Sequence, residues 1–167
     1  VNVQTKIVLP EGADASKYSV KTSVWNPNGQ KLTEQTIPLS QIKYNDNSLS
    51  QEFIIQTPTL WSPDMPALYS AETRLYEGDQ LKDIYTTPFG IRSIEIIPNK
   101  GFFLNGEKTV FKGVCNHHDL GPLGAAVNDA AIRRQIRILK DMGCNAIRTS
   151  HNMPAPELVR ACDEMGM

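Results

Sequence analysis

The hydrophobic period of the chain changes once, near residue 94, and that change constrains what it can fold into. Before it, apolar and β-branched residues recur at every second position, the pattern of strands with one buried face. Val1, Val3, Thr5, Ile7 and Leu9 share a face, as do Val20, Thr22 and Val24, and then Leu49, Gln51, Phe53 and Ile55. Tyr69, Ala71, Thr73 and Leu75 lead into the turn Glu77-Gly78-Asp79 and a strand from about Leu81 to Thr87. Pro10-Glu11-Gly12, Asn26-Pro27-Asn28-Gly29 and Asn45-Asp46-Asn47 are turn clusters between the runs.

About seven short strands in roughly 95 residues predict a β-sandwich of the immunoglobulin-like kind over 1–93. No Cys…Trp…Cys spacing supports an antibody-type domain. Trp61, in Leu60-Trp61-Ser62-Pro63, is expected to pack against that sandwich, and neither it nor Trp25 is given a functional role.

From residue 94 the pattern is different. Ile94 to Ile97 and Phe102 to Leu104 read as strands, with Asn105-Gly106 as a two-residue hairpin turn. Thr109 to Cys115 reads as the next strand. Ile132, Ile136, Leu139 and Met142 then fall on one helical stripe. Asn128 or Asp129 can cap the start of that helix, and Gly143 its end. Ala146 to Ser150 is a strand again, and Pro156 opens a second helix with Leu158, Cys162 and Met165 on its stripe and Gly166 as its stop. Strand, helix, strand, helix makes two βα units with parallel strands. Two units neither close a barrel nor cover both faces of a sheet, so residues 94–167 look unfinished, as a fragment of a longer chain would.

In such folds the site lies at the carboxyl ends of the parallel strands. The first strand ends in Cys115-Asn116-His117-His118-Asp119, and the second in Arg148-Thr149-Ser150-His151-Asn152. All three histidines of the chain stand there. A metal site built from His117, His118, Asp119 and His151 ranks below a substrate site, because Arg148 is a cation and no HxH or HExxH pattern is present. A sugar or anion pocket suits imidazole and amide groups beside an arginine that can fork onto a carboxylate and hold it ionised.

Composition excludes other classes. The net charge is −1, with 17 Lys+Arg against 18 Asp+Glu, which gives no nucleic-acid footprint. No apolar run approaches the ~20 residues of a membrane span, and no basic-apolar-small signal pattern opens the sequence, which begins mid-pattern at Val1. Cys115, Cys144 and Cys162 are odd in number and form no CxxC, so buried free thiols are expected. Cytoplasm and periplasm are both compatible with them.

The stretches "LWSPDMPALYSAETRLYEGDQLKDIYTTPFGIRSIEI", "GFFLNGEKTVFKGVCNHHD" and "GCNAIRTSHNMPAPELVRACDEMGM" resemble glycoside hydrolase family 2, the family of β-galactosidases, β-glucuronidases and β-mannosidases. The resemblance covers nearly the whole chain. It implies an immunoglobulin-like sandwich over 1–93 and the start of a TIM-barrel catalytic domain over 94–167, with a jelly roll and six further βα units lying outside. It also implies that His117 contacts the sugar and supports the transition state, and that His151 and Asn152 line the sugar subsite. Arg148 would orient the nucleophilic glutamate. Asn152 and Pro154 stand where many members have Tyr-Pro, and Cys115-Asn116-His117-His118 replaces the commoner Asn-Arg-His-Glu.

Retaining hydrolysis needs two carboxylates about 5 Å apart. In the family both are glutamates on later strands, so the catalytic pair is expected to lie beyond this chain. Glu157 and Glu164 are expected to be solvated helix residues. The implied function is part of a β-glycosidase, a β-galactosidase by preference, with the chain itself inactive. β-Glucuronidase or β-mannosidase specificity, a non-catalytic binding or assembly module, and a metal-dependent hydrolase are the alternatives. No metal or cofactor is expected within these residues, although Mg2+ or Na+ is compatible with the longer protein. The expected partner is a β-galactoside or related carbohydrate, with no nucleic acid and no membrane. Self-association through the exposed partial barrel is expected as well.

Overall fold

The computed structural model describes residues 1–41 and 48–167, so the turn expected at Asn45-Asp46-Asn47 lies outside the described residues. The chain divides into two compact units, residues 1–58 with 69–89, and residues 59–68 with 90–167.

The first unit holds six strands among its described residues: β1 (Asn2–Lys6), β2 (Tyr18–Trp25), β3 (Lys31–Pro38), β4 (Ser48–Glu52), β5 (Leu68–Glu77) and β6 (Gln80–Gly90). β1 pairs with β4, and β3-β2-β5-β6 form a second sheet. The expected alternation is what builds the core: Val20, Thr22 and Val24 are buried on β2, as are Leu49 and Gln51 on β4. Ile7, Tyr18 and Leu39 pack with Val20 and Leu49. β3 escaped the sequence reading because its polar positions, Lys31, Glu34 and Gln35, break the alternation, while pairing with β2 from Ser19↔Pro38 to Trp25↔Lys31 defines it.

The two sheets share one buried polar link. Thr22 Oγ1 donates to Gln51 Oε1 at 2.6 Å and lies 3.2 Å from Thr73 Oγ1. Gln51 Nε2 donates to the Gln35 carbonyl at 3.3 Å. Both residues are essentially inaccessible, Thr22 at 0% and Gln51 at 1%. A buried polar group is tolerable only when it is hydrogen-bonded.

The second unit begins with the hairpin β7 (Ile94–Ile97) and β8 (Gly101–Leu104), extended by β9 (Glu107–Lys108). Phe103↔Lys108 and Leu104↔Glu107 leave Asn105 and Gly106 as the two-residue turn, with φ of 54° and 82°. Then come β10 (Gly113–Cys115), α1 (Asp129–Asp141), β11 (Ala146–Arg148) and α2 (Pro156–Met165). Asn128 caps α1, its Oδ1 accepting from Ala131 N–H at 3.0 Å.

Several expectations are corrected. The strand from Thr109 shortens to Gly113–Cys115, because the Asn145 side chain takes up its backbone groups. Asn145 Oδ1 accepts from Lys112 N–H at 2.8 Å, and its Nδ2 donates to the Val110 carbonyl at 3.0 Å. Met142 is 69% exposed; the α1 stripe ends at Leu139. Cys115 is exposed. Cys162 is half-buried against Ile132, Ile136 and Ala161, and burial pushes its thiol up to about 11.

A further correction concerns Trp61, which packs within the second unit. It is 5% exposed. Its N–H donates to the Ile91 carbonyl at 2.8 Å, its carbonyl accepts from Asn105 Nδ2 at 3.1 Å, and its indole Nε1 donates to the Asp163 carbonyl at 2.8 Å. The Arg92 guanidinium lies 4.9 Å from the ring centroid, a cation–π distance. Beside it Lys140 Nζ donates to the carbonyls of Pro63 and Gly166, both at 2.8 Å, so α1 and α2 end on the same short segment. Gly166 is obligatory there, since its φ is +76° and a Cβ would stand 2.1 Å from the Pro63 oxygen.

Two stability measurements test these contacts. Gln51→Leu is expected to destabilise the first unit by about 1–3 kcal/mol in chemical denaturation, while Thr22→Val with Gln51→Leu together cost less than the sum. Additive losses would mean that the pair is not coupled. Trp61→Ala is expected to destabilise the second unit by about 3–5 kcal/mol, read from the fluorescence-independent loss of amide protection in α2. Unchanged protection would show that Trp61 does not hold that helix.

Candidate functional site

β10 and β11 run parallel, with Gly113 opposite Ala146, Val114 opposite Ile147 and Cys115 opposite Arg148. A Cβ at position 113 would sit 2.0 Å from the Ala146 carbonyl oxygen, so only glycine lets the strands approach here. Beyond the ladder, Asn116 N–H donates to the Arg148 carbonyl at 2.8 Å. The two loops at the carboxyl ends therefore start level with each other.

The second strand stops at Arg148 rather than Ser150, because the chain turns back at once. Asn152 N–H donates to the Thr149 carbonyl at 3.0 Å, closing a four-residue turn. Ser150 sits inside it at φ +51°, a left-handed conformation that few residues other than glycine adopt. The turn returns His151 and Asn152 to the first loop. Asn152 Nδ2 is 3.3 Å from His117 Nδ1. The His117 and His151 rings have centroids 5.3 Å apart and planes 78° to each other.

Of the residues singled out from the sequence, the structure thus brings His117, His151 and Asn152 together. Arg148 stands at the end of β11, its Nη1 3.9 Å from Cys115 Sγ. Among the described residues no carboxylate forms an ion pair with it. His117, His118, Leu120, Gln135, Asn152 and Pro154 border a recess of about 60 Å3. His118 and Asp119 are exposed.

Two residues of the site were not found from sequence. Ser150 carries the turn, and the polar run Thr149-Ser150-His151-Asn152 was the available signal. Cys115 faces the open end because the ladder places it opposite Arg148, where strand pairing rather than hydrophobicity decides exposure.

Glu157 lies in the first turn of α2. Glu164 accepts a hydrogen bond from Arg133 Nη2 at 2.5 Å, and Arg133 also pairs with Asp129. Glu164 therefore ties α2 to α1 instead of being merely solvated. Among the described residues no group of three or more His, Cys, Asp or Glu side chains is placed to hold a metal ion.

The family signature described as "Glycosyl hydrolases family 2" matches residues 1–92, and "Glycosyl hydrolases family 2, TIM barrel domain" matches residues 95–167. A β-galactosidase of Bacteroides ovatus is 42% identical over 166 residues, 99% of this chain and 19% of that protein. A β-glucuronidase of Streptococcus agalactiae is 39% identical over 108 residues, 65% of this chain and 18% of that protein. The crystal structure of a β-glucuronidase from Parabacteroides merdae matches with a TM-score of 0.87 at 29% identity, covering 99% of this chain and 20% of that one. The chain thus spans about a fifth of the length of these relatives. Residues 95–167 of the second unit match the TIM-barrel domain of the family, and the chain belongs to glycosyl hydrolases family 2.

Proposed function

We propose that this chain supplies the sugar-facing first two strands of a retaining β-glycosidase acting on β-galactosides, and that by itself it hydrolyses nothing. The observation that carries this reading is the convergence of His117, His151 and Asn152 beside Arg148 at the carboxyl ends of two parallel strands. An imidazole and an amide offer a donor and an acceptor each, which suits sugar hydroxyls. His117 stabilises the transition state by a hydrogen bond, and His151 and Asn152 line the sugar subsite. Arg148, with no carboxylate of its own among the described residues, orients a nucleophilic glutamate and keeps it ionised.

The two strand-end segments carry a single carboxylate, Asp119. Double displacement at an anomeric carbon needs an acid/base and a nucleophile about 5 Å apart. Without that pair, the remaining groups position and polarise but do not break the bond. Identity of 42% over nearly the full chain to a β-galactosidase favours galactose. The TM-score of 0.87 to a β-glucuronidase favours the second reading, glucuronide specificity. In either case residues 1–93, which include the first unit, are the immunoglobulin-like part, and residues 94–167 begin the (β/α)8 barrel. No cofactor is assigned to the residues of this chain, and Mg2+ or Na+ is compatible with the longer protein.

The second unit also leaves Ile94, Ile96, Val110, Phe111 and Val159 exposed, and among the described residues β11 pairs only with β10. An unpartnered edge and an open apolar face promote association. The isolated chain self-associates through this unit.

Nitrophenyl β-glycosides distinguish these readings. The 167-residue chain is expected to release no nitrophenol, while the longer polypeptide that contains it cleaves the galactoside faster than the glucuronide. Arg148→Ala in that polypeptide is expected to lower kcat by about 10²-fold or more. Turnover by the chain alone would move the chemistry onto the histidine cluster, and a glucuronide preference would select the second reading. In sedimentation, the chain alone is expected to run larger than a monomer; a monomer with protected amides across β10, α1 and β11 contradicts the association.

A further inference from the structure

We propose that Asn152 is a positioning residue that fixes the tautomer of His117, holding the ring proton on Nε2. The assignment itself rests on geometry; only its consequence for the reaction rests on the glycosidase reading above.

A neutral imidazole has one N–H donor and one bare nitrogen that accepts, and the partner of one nitrogen decides the other. The neighbour of His117 Nδ1 is Asn152 Nδ2, at 3.3 Å. An amide nitrogen donates and does not accept. With the amide nitrogen toward the ring, Nδ1 is the bare nitrogen and the proton lies on Nε2, across the ring.

The surroundings make Asn152 the anchor and His117 the anchored group. Asn152 is half-buried and pinned by its own backbone N–H to the Thr149 carbonyl, in a turn whose conformation Ser150 fixes at φ +51°. His117 is exposed, on the loop after β10. The nearly perpendicular His151 ring, 5.3 Å away, flanks it and limits rotation about its side-chain bonds. An exposed histidine without such neighbours samples both tautomers and several ring orientations. Here one ring nitrogen is committed, and the other is left as a fixed donor.

The consequence is a directional assignment. His117 acts as a hydrogen-bond donor through Nε2–H toward a hydroxyl or a developing negative charge on a sugar oxygen. It does not act as a general base, because its basic nitrogen is occupied by Asn152. The Asn-for-Tyr exchange at position 152 noted in the sequence then has a chemical meaning: an amide, which can donate to the ring nitrogen, stands where a phenol is commoner.

The test reads the tautomer directly in the 167-residue chain. Long-range 1H–15N correlation spectra of the histidine rings, recorded above the pH of imidazole titration, report which nitrogen bears the proton. His118→Gln and His151→Gln identify the His117 signals. The wild-type chain is expected to show the Nε2–H pattern for His117. Free imidazole already leans toward that form, so Asn152→Asp decides: a carboxylate only accepts, and the proton is expected to move to Nδ1. Asn152→Ala is expected to give averaged signals like those of His118. An Nδ1–H pattern in the wild type, or an unchanged pattern in Asn152→Asp with the chain still folded by circular dichroism, overturns the proposal. In the longer polypeptide, Asn152→Asp is expected to lower kcat at least tenfold with a smaller change in KM. If that polypeptide cleaves no glycoside while the tautomer switches as described, the glycosidase reading fails and the assignment of Asn152 stands.

Discussion

The second unit depends on how Trp61 is held. Its backbone meets Ile91 and Asn105, and its indole N–H meets the Asp163 carbonyl in the last turn of α2. A large apolar ring carrying one polar handle is suited to this, since it fills space while the handle satisfies a backbone acceptor that the helix end would otherwise leave open. The chain leaving β6, the β8–β9 turn and α2 are all fixed to one residue. Lys140 adds a second tie by joining the Pro63 and Gly166 carbonyls, placing a cation against carbonyls at a helix end, where the dipole favours it.

The site inherits its geometry from those ties. α1 and α2 pack through Ile132, Ile136 and Ala161, with Ile147 of β11 against the same cluster. The Arg133–Glu164 pair links the helices on their outer side. With the helices set, the ladder from Gly113↔Ala146 to Cys115↔Arg148 fixes where both loops begin. The turn at Ser150 does the rest. The polar cluster is thus placed by packing that contains no polar site residue, a division of labour between a rigid support and a reactive end.

Much of this was readable from the residues. Period-two runs found β1, β2, β4 and β5, and the helical spacing found α1 and α2 with their caps. The grouping of all three histidines at two strand ends located the site. What escaped depended on partners distant in sequence. β3 is defined by its pairing with β2, not by its own pattern. The 109–115 strand was cut short by the side chain of Asn145, more than thirty residues away by the contact to Lys112. Trp61 looked like a sandwich residue because its segment lies between strands of the first unit in sequence, and its long-range bonds to Asn105 and Asp163 show where it belongs. Which nitrogen of His117 meets Asn152 is likewise a matter of three-dimensional approach.

The membership of residues 59–68 in the second unit has a consequence for modularity. The segment interrupts the first unit in sequence, between Pro58 and Tyr69, yet its side chains complete the second. Neither unit is therefore a contiguous stretch that could be exchanged between family members by a single crossover near residue 93. A recombinant joining one sandwich to a foreign barrel would bring its own tryptophan segment into another protein's helix ends. Compatibility at Asp163, Lys140 and Gly166 would decide whether such a chimera folds. The 59–68 segment and the helix ends of the second unit are thus constrained together at these positions, although strands of the first unit separate them in sequence.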